Sequence, residues 1–541
     1  MNKMFSSILL AMGIAAGCLL AGRILLHYFQ LESYQFPGYF RTVKRNLLKS
    51  TLPGVCMTVL LIVSVIILTS LFPGMNARLI LITAETVIMI AGGFTIGKSF
   101  SEKKAKKPFV ITSRVKRLYA VSMIVMTLIL SIPLGIINKG STNLKTAEAF
   151  VLVFPALLPV WTALCGLLAW PVEKAISEMY FRDAQHILHE RNDLIRIGIT
   201  GSWGKTSVKF ILGTILEEKY HTLVTPASFN TPMGVTKVIR SRLEPGHRVF
   251  IAEMGARHVG DIREMCRLVH PEIGIITSVG PQHLDTFKTI ERVTKTKYEL
   301  IEALPENGEA FFADDNGICR QLYEKTKNKH KHLTGTDSSA DEIWAEDIRY
   351  TPDGSSFLLC RKDEKTYCET QLLGELNIRN ILLCASVAFS LDMTTEQIAR
   401  GIRKIAPVEH RLQLIRHTGG MNVIDDAFNS NIRGARQAFD VLKQFPFRRI
   451  VVTPGMVELG DQEYNMNMEF GASMAGCCDT AVLVGKKRSE AIAEGLRQNG
   501  FPEESIKIVS SLEEATEIIK TIAESGDTVL FENDLPDHYT E

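Results

Sequence analysis

Five long apolar runs fill the first 171 residues of this 541-residue chain, at about 5–27, 52–72, 78–97, 118–137 and 148–171. Each is long enough to cross the hydrocarbon core of a bilayer as a helix, which takes about 20 apolar residues. A single such run could equally be a helix buried in a soluble core. Five in series predict an α-helical membrane domain over residues 1–171. A secretory signal peptide could imitate the first run, but no small-residue cleavage pattern follows it. Arg23 and His27 suit the interfacial end of a span instead. Glu85 is the ionisable residue that falls mid-span. It reads either as a functional group or as a partner for a neighbouring helix.

Loop charge sets the expected orientation. Loop 28–51 carries Arg41, Lys44, Arg45 and Lys49, and loop 98–117 carries Lys98, Lys103, Lys104, Lys106, Lys107, Arg114, Lys116 and Arg117. The alternate loops hold no basic residue at 73–77 and only Lys139 and Lys145 at 138–147. The positive-inside rule places the rich loops in the cytoplasm. A multi-pass protein of the cell membrane follows, with its N-terminus outside and everything after residue 171 in the cytoplasm.

Net charge is +2, so no strong basic field argues for nucleic acid as a partner. The ten cysteines form no C-x-x-C pair, which predicts reduced, mostly buried thiols and neither disulfide nor zinc site. Residues 172–193 are polar and helix-like and read as a stalk. From 194 onward, apolar runs at 194–199, 248–253 and 273–277 alternate with helical patterns, the signature of a parallel sheet with helices on both faces. Residues 310–372 look like short strands and turns, and a helix rich in small and apolar residues follows at about 377–391. A second alternating block runs through 421–425, 448–453, 480–484, 506–509 and 527–531, with Ala406-Pro407 as a hinge before it. The reading is α/β throughout: a central domain over 194–405 and a C-terminal domain over 406–541.

Thr200-Gly201-Ser202-Trp203-Gly204-Lys205-Thr206-Ser207 follows the strand-like run 194–199 and opens a helical pattern with Val208, Ile211, Leu212 and Ile215 on one face. Strand, glycine turn and helix make a phosphate-binding loop: backbone N–H groups converge on phosphate oxygens at a helix N-terminus. Gly201, Ser202, Gly204 and Ser207 would line it, Lys205 would reach the terminal phosphates, and Thr206 would place its hydroxyl on Mg²⁺. Ile199 stands where the consensus has its first glycine, so the local context carries the assignment. A turn that binds nothing is the plainer alternative. Glu253 closes the run 248–253 and is followed by Met254-Gly255-Ala256, a place where a carboxylate could hold Mg²⁺ or simply face solvent. His283 lies beyond the run 273–277, and Lys297 sits in Lys295-Thr296-Lys297-Tyr298-Glu299. Taken singly, these two read as a structural histidine and a solvated helix lysine.

Taken together, Thr-Gly-Ser-x-Gly-Lys-Thr-Ser-Val-Lys at 200–209, Glu-Met-Gly-Ala at 253–256, His-Leu-Asp at 283–285 and Lys-x-Glu at 297–299 resemble the Mur ligase family, most nearly its MurF type, which joins D-Ala-D-Ala to UDP-MurNAc-tripeptide. Thr225-Pro226 through Asn230 to Gly234-Val235 is similar to the family's Asn-rich loop. Gly374 with Asn377 and Asn380 resembles its adenine-side motif. Arg411-Leu412, Asp425-Asp426-Ala427-Phe428-Asn429-Ser430-Asn431 and Glu458-Leu459-Gly460 resemble its C-terminal signatures. The resemblance covers about 194–535 and implies a P-loop central domain with a Rossmann-like C-terminal one. It implies an ATP- and Mg²⁺-dependent ligase in which a carboxylate becomes an acyl phosphate and an amine then takes the acyl group. Thr206 and Glu253 would hold a first Mg²⁺, and His283 would help hold a second. Lys297 matches the lysine that the family carbamylates. Asn377 and Asn380 would lie by adenine, and Arg411 and Asp426 by nucleotide phosphate and ribose.

The departures from the family are informative. Trp203 replaces a small residue or Asn, and its ring either stacks on a ligand or caps the turn. Ser228 and Thr231 replace asparagines, Glu375-Leu376 stands for Arg-His, Ala427-Phe428 for Ser-Tyr, Asn467 for His, and Glu532-Asn533-Asp534-Leu535-Pro536-Asp537 for a Lys-Gly-Ser end. No room remains between the last span and the phosphate loop for the domain that grips UDP in soluble relatives. Two readings therefore stand open: the carboxylate acceptor is lipid-linked, or the spans tether a ligase of soluble substrates. The donor reads as an amino acid or dipeptide. A P-loop motor of a transporter lacks its signature motif here. An inactive ATP-binding scaffold or sensor is the alternative against which Lys205, Glu253, His283 and Lys297 argue.

Overall fold

The computed structural model describes residues 3–533 apart from 73–77, 102–107, 140–143, 228, 283, 315–316, 328–329, 337–341, 363, 417–419, 428–431, 458 and 460–461. His283, Lys103, Lys104, Lys106, Lys107, Ser228, Phe428, Asn429, Ser430, Asn431, Glu458, Gly460 and the end from Asp534 thus lie outside the described residues. The chain divides into two compact units, Met1–Glu178 and Met179–Glu541.

The first unit is helical: α1 (Lys3–Ala21), α2 (Arg23–Leu31), α3 (Phe36–Arg45), α4 (Leu47–Leu71), α5 (Arg78–Ser99), α6 (Ser113–Lys139), α7 (Leu144–Val153) and the start of α8 (Leu158–His189). Among the described residues, five segments are long and apolar enough to cross a membrane: Met4–Ala21, Leu47–Leu71, Leu79–Ser99, Ser113–Ile137 and Lys145–His189. Two boundaries differ from the sequence reading. The first run does not continue to residue 27; α1 stops at Ala21, and a separate helix begins at Arg23, whose guanidinium lies over the Phe109 ring. The last run is interrupted by a 3₁₀ turn at Phe154–Leu157, where Pro155 has no N–H to continue the α-helical ladder.

Helices α1 and α5 meet through glycines. A Cβ on Gly17 would fall 2.4 Å from the Met89 carbonyl oxygen, one on Gly93 2.2 Å from the Gly17 oxygen, and one on Gly97 2.1 Å from the Leu20 oxygen. Gly13 and Gly17, like Gly93 and Gly97, are four residues apart and so share a helix face. In a lipid setting, which supplies no hydrophobic drive between helices, close backbone approach at small residues would be what holds them. Glu85 is buried on α5, and its Oε1 accepts a hydrogen bond from Ser64 Oγ of α4 at 2.7 Å. Its partner is therefore a neighbouring helix.

The second unit begins within α8. Phe181, Ala184 and Leu188 pack into the same core as Phe250, Ala252, Val235 and Ile262, and Gln185 Nε2 donates to the Arg267 carbonyl at 2.6 Å. This stretch, read from sequence as a stalk, is instead a packed part of the α/β unit. Six parallel strands, β1 (Ile195–Thr200), β2 (Thr222–Val224), β3 (Val249–Glu253), β4 (Ile273–Ile276), β5 (Glu309–Ala313) and β6 (His330–Thr334), lie in the order β2-β3-β1-β4-β5-β6. Their connections carry α9 (Lys205–Leu216), α10 (Pro232–Arg242), α11 (Asp261–Val269), α12 (Leu284–Phe287), α13 (Ile290–Glu302) and α14 (Ile318–Lys325), the last within a stretch expected to hold only strands and turns. The predicted apolar face of α9 is real: Val208, Ile211, Leu212 and Ile215 are fully buried against Ile197, Ile199, Ile378 and Ile381.

A small antiparallel sheet of β7 (Ile343–Thr351), β8 (Gly354–Arg361) and β9 (Glu364–Thr370) follows, then α15 (Glu375–Ser390) and α16 (Thr395–Arg403). The remaining sheet takes the order β10-β11-β15-β12-β13-β14, from β10 (Gln413–Arg416), β11 (Asn422–Asp426), β12 (Arg449–Thr453), β13 (Thr480–Val484), β14 (Ile506–Val509) and β15 (Thr528–Glu532). Only β10 runs antiparallel. Helices α17 (Ile432–Leu442), α18 (Glu463–Met474), α19 (Lys486–Gln498) and α20 (Leu512–Ile522) link its strands.

The glycine contacts make a direct prediction. Gly93→Val drives methyl groups into the α1 backbone and should cost about 1–3 kcal/mol, as overpacking does. Thermal unfolding in detergent should show it. Gly135, with nothing within 4 Å of an added Cβ, is the neutral control as Gly135→Ala.

Candidate active site

The site is assembled where β1, β3 and β4 end, the edge of a parallel sheet at which connecting loops gather. The chain leaves β1 at Thr200, turns, and enters α9 at Lys205. Gly204 holds φ at +82°, a left-handed conformation open to glycine. A Cβ on Gly201 would fall 2.1 Å from Thr277 Oγ1. The turn is stitched to the segment after β4. Ser202 N donates to the Ser278 carbonyl at 2.9 Å, and Ser202 Oγ donates to the Gly280 carbonyl at 2.9 Å. Trp203 N donates to Ser278 Oγ at 2.8 Å, and the Trp203 carbonyl accepts from Thr277 Oγ1 at 2.5 Å. The Trp203 ring lies against Gly280, where an added Cβ would come within 2.1 Å of it. The ring caps the turn.

Lys205 Nζ curls over its own loop, donating to the carbonyls of Gly201 and Ser202 at 2.7 and 3.1 Å. Burial pushes its ammonium down to about 8; Glu253 opposes the shift and Arg411 adds to it. Thr206 and Ser207 lie in the first turn of α9. Thr206 Oγ1 donates to Glu253 Oε2 at 3.0 Å, Lys209 Nζ donates to the same oxygen at 3.0 Å, and Asn230 Nδ2 donates to Oε1 at 3.1 Å. Glu253 is 1% exposed. Burial would raise its carboxyl, but Lys209 and Lys205 outweigh it and hold the group below the usual range.

Lys297 projects from α13 and is 2% exposed, yet it makes no hydrogen bond to any described residue. Burial, reinforced by Lys205, drives its ammonium well below the ordinary lysine range, against Asp261 and Glu253. Glu299, two residues further along α13 and also buried, has a different task. Its two oxygens accept from Gly260 N and Arg263 N at 3.0 Å each and cap α11.

Asn377 Nδ2 donates to the Leu373 carbonyl at 2.9 Å. Asn380 is buried with its Oδ1 3.4 Å from the Cβ position of Gly204, and its Nδ2 has no hydrogen-bond partner. An orphaned buried donor beside a phosphate-loop glycine fits a ligand that brings an acceptor. Arg411 lies within electrostatic reach of Lys205, Glu253, Asp426 and Glu532; burial pushes its guanidinium down and the three acids oppose this. Asp426 Oδ1 accepts from Leu412 N at 3.1 Å, and burial raises its carboxyl despite Arg411. The structure thus brings Lys205, Thr206, Glu253, Lys297, Asn380 and Arg411 to one place.

Several departures turn out to be local structural solutions. Thr231 caps α10, its Oγ1 accepting from Gly234 N at 3.3 Å. Asn467 is fully buried and pins the turn after β12, accepting from Met456 N at 2.8 Å and donating to the Met456 and Glu463 carbonyls. Glu375 pairs with Arg379 one turn on. Lys209, the last residue of the Thr-Gly-Ser-x-Gly-Lys-Thr-Ser-Val-Lys motif, joins this group without a role that the motif itself assigns. Its spacing of four from Lys205, which puts both on one side of α9, was the available signal.

Two family models match the chain: the Mur ligase middle domain over residues 199–388, and the Mur ligase, glutamate ligase domain over residues 410–532. The UDP-N-acetylmuramoyl-tripeptide–D-alanyl-D-alanine ligase of Escherichia coli (strain K12) is 28% identical over 335 residues, covering 60% of this chain and 74% of that protein. The ligase of the same name from Bacillus subtilis (strain 168) is 26% identical over 339 residues, covering 62% and 72%. The solved MurF ligase of Thermotoga maritima in complex with ADP superposes with a TM-score of 0.59 at 23% identity, covering 66% of this chain and 80% of that one, a likeness of fold.

The Trp203–Gly280 contact can be tested by itself. Gly280→Ala should displace the ring and cost about 1–3 kcal/mol, read by denaturant unfolding and tryptophan emission. In a Trp203→Ala background the same change should cost little, since the clash has gone.

Proposed function

Because the chain belongs to the Mur ligase family of ATP-dependent acid–amino-acid ligases, we propose that it joins a carboxylate acceptor to an amino acid or dipeptide through an acyl phosphate. A carboxylate oxygen of the acceptor attacks the γ-phosphorus of ATP, the bond to the β-phosphate oxygen breaks, and ADP leaves. The amine nitrogen of the donor then attacks the acyl carbon, the bond to the phosphate oxygen breaks, and the nitrogen gives up its proton as inorganic phosphate departs. One observation carries this reading: the loop lysine Lys205 lies over the Gly201 and Ser202 carbonyls at 2.7 and 3.1 Å, and the next residue, Thr206, donates to the buried Glu253 at 3.0 Å. Charge that develops on the transferred phosphoryl group would meet fixed positive groups in a desolvated place.

In this reading Lys205 holds the terminal phosphates over the backbone of Gly201, Ser202, Gly204 and Ser207. Thr206 and Glu253 hold one Mg²⁺, which neutralises phosphate charge when bound. His283 and Lys297 serve a second ion. Lys297 suits carbamylation, because burial beside Lys205 favours its free amine, the form that is nucleophilic toward carbon dioxide, and the carbamate would supply oxygen ligands. Asn377 and Asn380 face adenine. Arg411 and Asp426 reach nucleotide phosphate and ribose from the C-terminal part. Residues 194–405 form the ATP-binding domain and 406–541 a Rossmann-like domain that closes on it. Residues 1–171 form a five-span membrane domain with the N-terminus outside, so ligation takes place at the cytoplasmic face of the cell membrane. The acceptor is a cell-wall precursor, soluble or lipid-linked, and D-Ala-D-Ala, named in the relatives, is the first donor to try.

The deciding assay is ADP release by the detergent-solubilised protein with Mg²⁺-ATP and D-Ala-D-Ala, with products identified by mass spectrometry. UDP-MurNAc-tripeptide and its lipid-linked counterpart are offered in parallel. Turnover on the UDP form alone makes the spans an anchor. Turnover on the lipid form alone makes them part of acceptor recognition, and no turnover on any carboxylate refutes the ligase reading. Lys205→Met should lower turnover about 10²–10³-fold or more, as loss of a charge-stabilising group does. Lys297→Ala should lose ligation and regain part of it with added short-chain carboxylic acids; full activity without them would end the carbamate reading.

A further inference from the structure

Lys209 is a fully buried cation in a place that already holds another lysine. Its side chain is 0% exposed, and its Nζ donates to Glu253 Oε2 at 3.0 Å and to the Ala227 carbonyl at 2.5 Å, with the Phe210 ring 4.4 Å away. A buried ammonium needs such partners. These two tie α9 to the end of β3 and to the loop that carries Asn230. That loop is fixed in turn: Asn230 Nδ2 donates to Glu253 Oε1, and the Asn230 carbonyl accepts from Gly255 N at 2.8 Å.

Glu253 is therefore occupied. Both its oxygens accept hydrogen bonds, one from Asn230 and the other from Thr206 and Lys209 together. Three cations, Lys205, Lys209 and Arg411, act on this single carboxylate. A free divalent cation would have to displace Lys209 from Oε2 and enter against those charges. Nucleotide phosphates would reverse the local sign, pairing with Lys205 and Arg411 and giving the cation further oxygen ligands.

We propose that Lys209 is a positioning residue that holds Glu253 as an occupied carboxylate and keeps divalent cations out of the site until nucleotide phosphates arrive. The metal then enters with the nucleotide, and the site without nucleotide stays metal-free. This rests on the reading of Glu253 as a metal ligand.

The probe is Mn²⁺ alone, titrated into the nucleotide-free full-length protein in detergent and followed by electron paramagnetic resonance of the free ion. Wild type and Glu253→Gln should give the same isotherm, because no Glu253-dependent site is open. Lys209→Met should gain a Glu253-dependent site, with affinity raised on the order of tenfold or more. The gain should vanish in Lys209→Met/Glu253→Gln, and Lys209→Arg should behave as wild type. Mn²⁺ should also raise the Tm of Lys209→Met and leave that of wild type unchanged. Replacing a residue with a packing role alone would not create a Glu253-dependent metal site. Glu253-dependent binding by nucleotide-free wild type overturns the proposal, and that measurement stands even if Lys209→Met does not fold. A folded Lys209→Met with no gain overturns it too. A parallel titration with ADP present separates the two layers. If Glu253→Gln then binds Mn²⁺ as tightly as wild type, the metal role of Glu253 falls and the proposal with it. If binding with ADP is Glu253-dependent while Lys209→Met shows no gain without it, the role of Lys209 alone is refuted.

Discussion

A carboxylate buried at the end of β3 organises the catalytic half of this protein. Glu253 lies where water is scarce, and a lone carboxylate there would be strongly unfavourable. Its stability as an ion depends on Thr206 and Lys209 from the phosphate-loop helix and on Asn230 from the loop before α10. Those partners fix more than a charge. They register α9 against β3, and the loop from Thr225 to Thr231 against both, since Glu253 N also donates to Thr225 Oγ1 at 3.1 Å. The phosphate loop is braced from its other side by Ser278 and Gly280. A flexible glycine turn thus has rigid neighbours on two sides, which is what keeping backbone N–H groups aimed at an anion requires.

Much of the architecture was legible in the sequence because periodicity and run length carry it. Strands β1, β3 and β4 and the five strands β11 to β15 fall within a residue or two of the expected runs, as buried parallel strands read as continuous apolar stretches. The misses share a physical cause: local pattern does not record what an element packs against. Leu188 and Phe181 looked like apolar residues of a polar stalk until Phe250 and Ile262 supplied the other side of the core. The 3₁₀ turn at Phe154–Leu157 interrupts a run whose hydropathy is unbroken, so composition alone could not place it.

Within the site, glycine placement and the Lys-Thr pair located the phosphate loop, and the strand-end position located Glu253. What the sequence left open was which side chains answer one another. Trp203 could have faced a ligand, and the structure seats its ring on Gly280. Thr231 and Asn467, which depart from the family, serve as a helix cap and a three-bond turn brace. Glu299, quoted beside Lys297 in one motif, serves a helix end rather than the reaction centre. Sequence spacing marks residues that belong together without telling which touches substrate and which holds the frame.

Asn380 keeps one amide donor buried and unpartnered beside Gly204. An unsatisfied buried polar group carries a penalty of about 1–3 kcal/mol, so Asn380 holds this arrangement slightly above its best free energy. A visiting molecule with an acceptor in that position recovers the deficit on arrival, and one without it leaves the deficit in place. Discrimination of this kind would need no clash and no closing motion: a guest would be favoured by a hydrogen bond that the protein alone leaves unmade.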